Sequence, residues 1–249
     1  EPLDIKNYIG LTSDTPIRFI ASDVDGTLVN DAKSVDPEVV SAVRAARESG
    51  IRVAIASGRA WHEMDDVIDA MPCLRYFVCT NGAYVMDKEG KKELVHISFD
   101  KTRAIDLVRK LMTYGVFVEA YVKAEIFGQY PTVGNETLQA ERFFRPNIRP
   151  FILKTRTMVP DLLAHLESLP EGPEKIQIFY GDERIRERIL ADLRDDFQGA
   201  ATDGKGRERF YDVLESSEGN LEFVLPHTTK GTAVEALANH WGYTPDEVI

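Results

Sequence analysis

The chain has 249 residues, 43% hydrophobic and 29% charged. That is an ordinary globular composition, which excludes disorder as the main state and supplies enough chain for one large domain or two modest ones. Lysine and arginine number 30 against 41 aspartates and glutamates, a formal net charge of −11, which argues against nucleic acid or an anionic membrane as partner.

Residues 17–22 form a short apolar run that predicts a first strand, ending in Asp23-Val24-Asp25-Gly26-Thr27. Asp36 as N-cap, Pro37 at the first helical position and Gly50 just past the end then bracket a helix with Val39, Val40, Val43 and Ala46 on one face. Residues 51–56 read as a buried strand ending in Ser57-Gly58-Arg59. A second helix through Trp61, Met64, Val67, Ile68 and Met71 leads to a third strand at 76–79, followed by Thr80-Asn81-Gly82. Strand-helix-strand-helix-strand predicts a doubly wound parallel α/β sheet, with ligands beyond the carboxyl ends of its strands.

After Met86 the rhythm changes at a charged turn, residues 88–92. Asp100 caps a helix through Ile105, Val108, Leu111 and Met112, and 116–122 reads as a strand. Residues 162–169 are helical, 175–180 a strand, and Asp182 caps an amphipathic helix through Ile189 and Leu193; 210–214 and 221–225 form a hairpin. These elements predict an inserted α+β cap over 86–221 and a discontinuous core of 1–85 plus 222–249. Within the cap, residues 199–205 have Walker-A spacing, but Gly206 stands where a magnesium-binding Ser or Thr is required, so the stretch reads as a flexible connection. Thr229 caps the next helix, Gly242 ends it, and Val248 begins a fourth core strand. Cys73 and Cys79 lack Cys-x-x-Cys spacing and read as buried thiols in a reducing compartment, and the five histidines show no ligand spacing. With no basic, apolar leader in residues 1–16 and no run of eighteen apolar residues, the expected location is cytoplasmic.

The chemistry-bearing residues collect at the strand ends. Asp23 and Asp25, two apart, can project to the same side; alone they would read as a surface turn, but their place after the first parallel strand suits a nucleophile and an acid/base. Gly26 lets backbone N–H groups approach an anion, and Thr27 adds a hydroxyl. Ser57, Gly58 and Arg59 open a helix and can hold a phosphoryl oxygen, or simply cap that helix. Asn81 suits a turn or a substrate contact, and Lys230 at a helix start is either an anion ligand or a solvated lysine.

Taken in order, Asp23-Val24-Asp25-Gly26-Thr27-Leu28, Ser57-Gly58-Arg59, Thr80-Asn81-Gly82-Ala83 and Lys230-Gly231 resemble the motif series of the haloacid dehalogenase superfamily of phosphohydrolases, specifically its Cof-like sugar-phosphatase branch, over most of the chain. The resemblance implies that Asp23 attacks phosphorus to form an aspartyl phosphate. Asp25 then serves as general acid and afterwards as general base, and Ser57 and Lys230 hold the phosphoryl oxygens, with Gly26, Thr27, Gly58, Arg59 and Asn81 at substrate-binding positions. It further implies Mg2+ held by Asp23 and by the backbone carbonyl of Asp25, together with an acidic residue of a fourth motif, to offset the repulsion between a carboxylate and a phosphate dianion. In the family that motif follows the strand beginning here at Val248, so the sequence reads as an incomplete version of a longer protein, or else as a natural truncation. The expected function is hydrolysis of a small phosphorylated metabolite, a sugar phosphate. A sugar phosphomutase using the same phosphoenzyme and a catalytically silent phosphate-ligand binding protein are the alternatives. Tyr121, Arg142, Phe143, Arg145 and Lys175 are candidates in the cap for meeting the substrate.

Overall fold

The computed structural model describes residues 15–30, 34–123, 125–194 and 209–249. The Walker-like stretch and residues 1–14 lie outside them. The chain begins with β1 (Phe19–Ser22), α1 (Pro37–Glu48), β2 (Arg52–Ala56), α2 (Asp65–Ala70), β3 (Tyr76–Cys79), β4 (Tyr84–Asp87) and β5 (Lys92–His96). It continues with α3 (Lys101–Met112), β6 (Phe117–Val122), β7 (Glu125–Gln129), α4 (Glu136–Phe143), α5 (Arg149–Thr155), β8 (Thr157–Met158), α6 (Leu162–Ser168), β9 (Lys175–Phe179), α7 (Glu183–Asp192), β10 (Asp212–Leu214) and β11 (Asn220–Val224), and it returns through α8 (Lys230–His240).

The first sheet has the order β1-β2-β3-β4-β5. Its first three strands are parallel, β4 and β5 are antiparallel, and Val248 bridges Phe19 in parallel on the outer side of β1. Alternation along β2 explains the two layers of helix. Val53 and Ile55 pack with Val43, Met64 and Val67, while Ala54 and Ala56, on the other face, leave room for Ala233 and Leu237 of α8. Pro37 pre-sets the first turn of α1, and Gly50, at φ +85°, turns the chain into β2. The Asp36 carboxylate makes no cap bond; it accepts from Asn30 Nδ2 at 2.9 Å.

The second sheet has the order β10-β11-β9-β6-β7-β8 and is antiparallel except for the β7–β8 pair. Val118, Ala120, Ile176, Ile178 and Phe223 on one of its faces meet α3, α6 and α7 through Val108, Leu111, Leu166 and Ile189. The other face is mixed: Glu119, Lys175, Gln177 and Glu222 make it polar in the middle, while Phe117 and Phe179 pack with Phe143 of α4 and Ile152 of α5.

Sheet membership moves the expected boundaries. Met86 pairs with Phe77 inside the first sheet, and the charged turn 88–92 joins β4 to β5 rather than opening the cap. Glu222 pairs with Gln177 inside the second sheet. The chain passes between the sheets after His96 and again after Val224, since pairing partners distant in sequence decide which sheet a strand joins. Cys79 is buried, whereas Cys73 is only half-buried; neither forms a disulfide. No helix among the described residues is long and apolar enough to cross a membrane.

Candidate active site

The polypeptide leaves β1 through a tight turn anchored by Val24, which is fully buried and whose carbonyl accepts from the N–H groups of Leu28 and Val29 at 3.0 and 3.1 Å. With Val24 pointing inward, its neighbours Asp23 and Asp25 face the cleft at the carboxyl ends of the strands. Gly26 permits the turn at φ +75°. Asp23 Oδ2 accepts from Lys230 Nζ at 2.8 Å, and its Oδ1 accepts from Val24 N at 2.7 Å. Lys230 is the first residue of α8, whose N-cap Thr229 accepts from Thr232 N at 3.1 Å. A lysine there opposes the helix dipole, and Asp23 offsets the cost.

Arg59 grips Asp25 bidentately, Nη2 to Oδ1 and Nε to Oδ2, both at 2.9 Å. Its Nη1 also reaches the Glu63 carbonyl at 3.1 Å and Asp66 at 3.3 Å. Burial works to lower the Arg59 pKa, but the bonds and charges of Asp25 and Asp66 outweigh it and hold the guanidinium above its ordinary value. Ser57 is buried and its hydroxyl accepts from Arg59 N at 3.2 Å. The loops after β2 and β3 are laced together: Asn81 N donates to Ser57 O at 3.1 Å and Thr80 N to Arg59 O at 2.9 Å. Thr80 and Asn81 both adopt left-handed backbone conformations, φ +49° and +56°.

The polar part of the second sheet's other face roofs these loops. Lys175 Nζ donates to Gly58 O at 3.1 Å and to Glu222 Oε1 at 3.4 Å, and it lies 4.0 Å from the Tyr121 ring centre. Glu222 Oε2 accepts from Asn81 Nδ2 at 3.0 Å, and its Oε1 accepts from the Ser216 hydroxyl at 2.7 Å. Burial pushes the Glu222 carboxyl up, but the charge of Lys175 and the bonds from Ser216 and Asn81 bring it below its usual value. Beside this pair, Arg156 donates to both Glu119 oxygens at 3.0 and 3.1 Å, to the Tyr121 hydroxyl at 3.2 Å and to Glu63 of the first sheet's layer. Arg156 and Glu63 are each 4% exposed and Glu119 is fully buried. Burial, Glu119 and Glu63 drive the Tyr121 phenol far above its ordinary pKa, so it remains neutral and accepts from Arg156 while donating to Glu119 at 2.8 Å.

Core and roof enclose a cleft of about 730 Å³. Of the residues expected from the sequence, Asp23, Asp25, Ser57, Gly58, Arg59, Asn81 and Lys230 line it, as do Tyr121 and Lys175. Gly26 and Thr27 sit exposed on the adjoining turn and are not among the lining residues. Arg142, Phe143 and Arg145 border a separate depression of about 340 Å³, where Arg145 pairs with Glu218. Glu63, Asp66, Phe151, Arg156, Gln177 and Glu222 line the cleft without having been anticipated. The signal for Gln177 and Glu222 is polar residues at alternate positions of otherwise apolar strands.

The donors at the mouth of the cleft are carboxylate oxygens, which suit a hard cation such as Mg2+ that keeps several waters and takes one or two carboxylates. Among the described residues no group of three or more His, Cys, Asp or Glu could hold a metal. The donor set therefore fits a hydrated hard cation and not a closed zinc centre.

A family profile described as haloacid dehalogenase-like hydrolase matches residues 20–249. Phosphatase YwpJ of Bacillus subtilis (strain 168) is 27% identical over 231 residues, covering 89% of this chain and 78% of that protein. Among solved structures, a haloacid dehalogenase-like hydrolase from Bacteroides thetaiotaomicron superposes with a TM-score of 0.73 at 21% identity, covering 93% of this chain and 80% of that one. The subclass IIB sugar phosphatase BT4131 superposes with a TM-score of 0.69 at 14% identity, covering 93% and 78%. At these identities the two structures establish a shared fold.

Proposed function

This chain belongs to the haloacid dehalogenase-like hydrolases and is a phosphatase, and on that premise we propose that it is a magnesium-dependent phosphomonoesterase acting on a small phosphorylated metabolite, a sugar phosphate, through an aspartyl phosphate. The observation that carries this reading is the meeting of Asp23 with Lys230, 207 positions apart and 2.8 Å from each other, in a cleft shared with Asp25 and Ser57. A carboxylate nucleophile beside a partly exposed cation, with a second carboxylate and a buried hydroxyl close by, is what phosphoryl transfer by way of a covalent intermediate requires.

An incoming phosphate dianion competes with Asp23 for Lys230 and so frees the nucleophile. Asp23 Oδ then forms a bond to phosphorus as the bond to the ester oxygen breaks, and Asp25 delivers a proton to that oxygen, releasing an alcohol. In the second step Asp25 takes a proton from water as the water oxygen attacks phosphorus. The Asp23–phosphorus bond breaks, and inorganic phosphate leaves. Ser57 and Lys230 hold the phosphoryl oxygens in both steps, Gly58 and Asn81 complete the cradle, and Arg59 acts at its edge by positioning the Asp25 carboxyl group. The Asp23 carboxylate and the Asp25 backbone carbonyl would hold Mg2+, which would supply the charge that lets two anions approach.

The test is hydrolysis of a chromogenic aryl phosphate with and without Mg2+. Activity that requires the metal and falls by at least about a thousandfold in Asp23→Asn is expected, on the scale of losing a covalent nucleophile. Turnover that persists in the variant or ignores the metal overturns the mechanism.

A further inference from the structure

Every cation that lines the cleft, among the described residues, already has a carboxylate partner. Arg59 holds Asp25 and Asp66, Arg156 holds Glu63 and Glu119, Lys175 holds Glu222, and Lys230 holds Asp23. The lining contains five carboxylates, those of Asp23, Asp25, Glu63, Asp66 and Glu222, against these four cations. The scissile phosphate has a cation to take, since Lys230 must release Asp23 for attack. The other three are differently placed. Lys175 and Arg156 are 2% and 4% exposed at their side chains, and drawing either one to a ligand anion would strand a buried carboxylate without its partner. Arg59 keeps Asp66 and the Glu63 carbonyl even when Asp25 is protonated.

Building on the phosphatase reading, we propose that the part of the substrate enclosed beneath the roof carries no charge besides the scissile phosphate. Within the class already proposed the cleft therefore sorts by charge, and bisphosphates and phosphorylated acids are rejected. Hydroxyl groups suit this wall where anions do not. A hydroxyl both donates and accepts, so it can join Lys175, Glu222, Gln177 or Asn220 without breaking an ion pair. On α5, Pro150 and Phe151 add apolar lining that fits the carbon face of a sugar ring. Specificity then comes from paired charge that a second anion would have to undo.

The experiment compares calorimetric Kd values of the wild-type protein for non-hydrolysable phosphonate analogues of a hexose 6-phosphate, of the matching 1,6-bisphosphate and of the matching 6-phosphorylated aldonic acid. The neutral sugar is expected to bind at least about tenfold more tightly than either doubly charged ligand, the equivalent of ~1.4 kcal/mol. Glu222→Gln leaves Lys175 without its carboxylate and is expected to narrow that gap at least about threefold, with its fold verified by thermal melting. A bisphosphonate or aldonate analogue binding as tightly as the neutral one in the wild type, or no binding by any of the three, overturns the inference. Loss of aryl phosphate turnover strikes instead at the phosphatase reading and leaves the binding order to be decided by its own measurement.

Discussion

A Cβ on Gly82 would fall 2.2 Å from the carbonyl oxygen of Thr229, and the residue has φ +103°. No side chain fits there, and the close approach sets α8, and Lys230 at its start, against the loop carrying Asn81. Gly58 is crowded differently, since its Cβ would meet the Asn81 side-chain oxygen at 2.8 Å, a group that can rotate away. The two glycines therefore predict different outcomes. Gly82→Ala should lose about 1–3 kcal/mol of stability from strain and, if Lys230 acts as proposed, lower kcat about 10- to 100-fold, because an ångström of misplacement at such a cation is worth that much. Gly58→Ala should cost less stability and act mainly on KM through the displaced Asn81–Glu222 bond. Urea denaturation and steady-state kinetics on both variants test the ranking, and equal effects would refute it.

On the scale of elements, the strands of the second sheet divide their side chains by parity. Glu119 and Tyr121 of β6, Lys175 and Gln177 of β9, and Glu222 of β11 share the face turned to the cleft, while their apolar neighbours meet the helices. Arg156 neutralises the deepest of these groups. Arg156→Met would leave Glu119 and Glu63 buried without compensation and should destabilise the protein by about 3–5 kcal/mol at neutral pH. The double variant Arg156→Met/Glu119→Gln should recover at least about half of that loss in urea titrations, and no recovery would mean that Arg156 acts through packing. The first three strands, their helices and the residues at their ends were legible in the sequence because capping and hydrophobic period are local properties. Lys230 was legible as part of an ordered motif series. The roof was less so: Lys175 stood out only as a basic residue in a strand, and Arg156, between α5 and β8, carries no periodic signal. The charged turn between β4 and β5 looks like a border in one dimension, and only the pairing of Met86 with Phe77 makes it a hairpin.

At the scale of the whole molecule, core and cap are also joined away from the cleft, through His96 at the end of β5. Its Nε2 lies 2.7 Å from Glu174 and its Nδ1 2.9 Å from Glu171, both on the segment leading into β9. Carboxylates only accept, so both contacts are satisfied when the ring carries two protons. The bond to Glu174 is the largest cause raising the His96 pKa above 6.5; burial opposes it, and the charges of Glu174, Glu93 and Glu171 add to it. For a group whose folded pKa is raised, the stabilisation is complete below the unfolded value near 6.5 and is lost as pH climbs through the folded one. Melting temperature should therefore fall from about pH 6.5 into the alkaline range, and His96→Gln should flatten that slope; an unchanged slope would remove His96 from the account. The 207 positions between Asp23 and Lys230 also bear on how the protein is made. At about 5–20 residues per second on the ribosome, Asp23 emerges roughly 10–40 s before the lysine beside it. Over that interval β1 and β2 wait without α8, while the whole second sheet is translated and can pair within itself. A nascent chain can thus pair its roof before Lys230 reaches Asp23, and on the proposed mechanism turnover of phosphate esters has to wait until α8 has been synthesised.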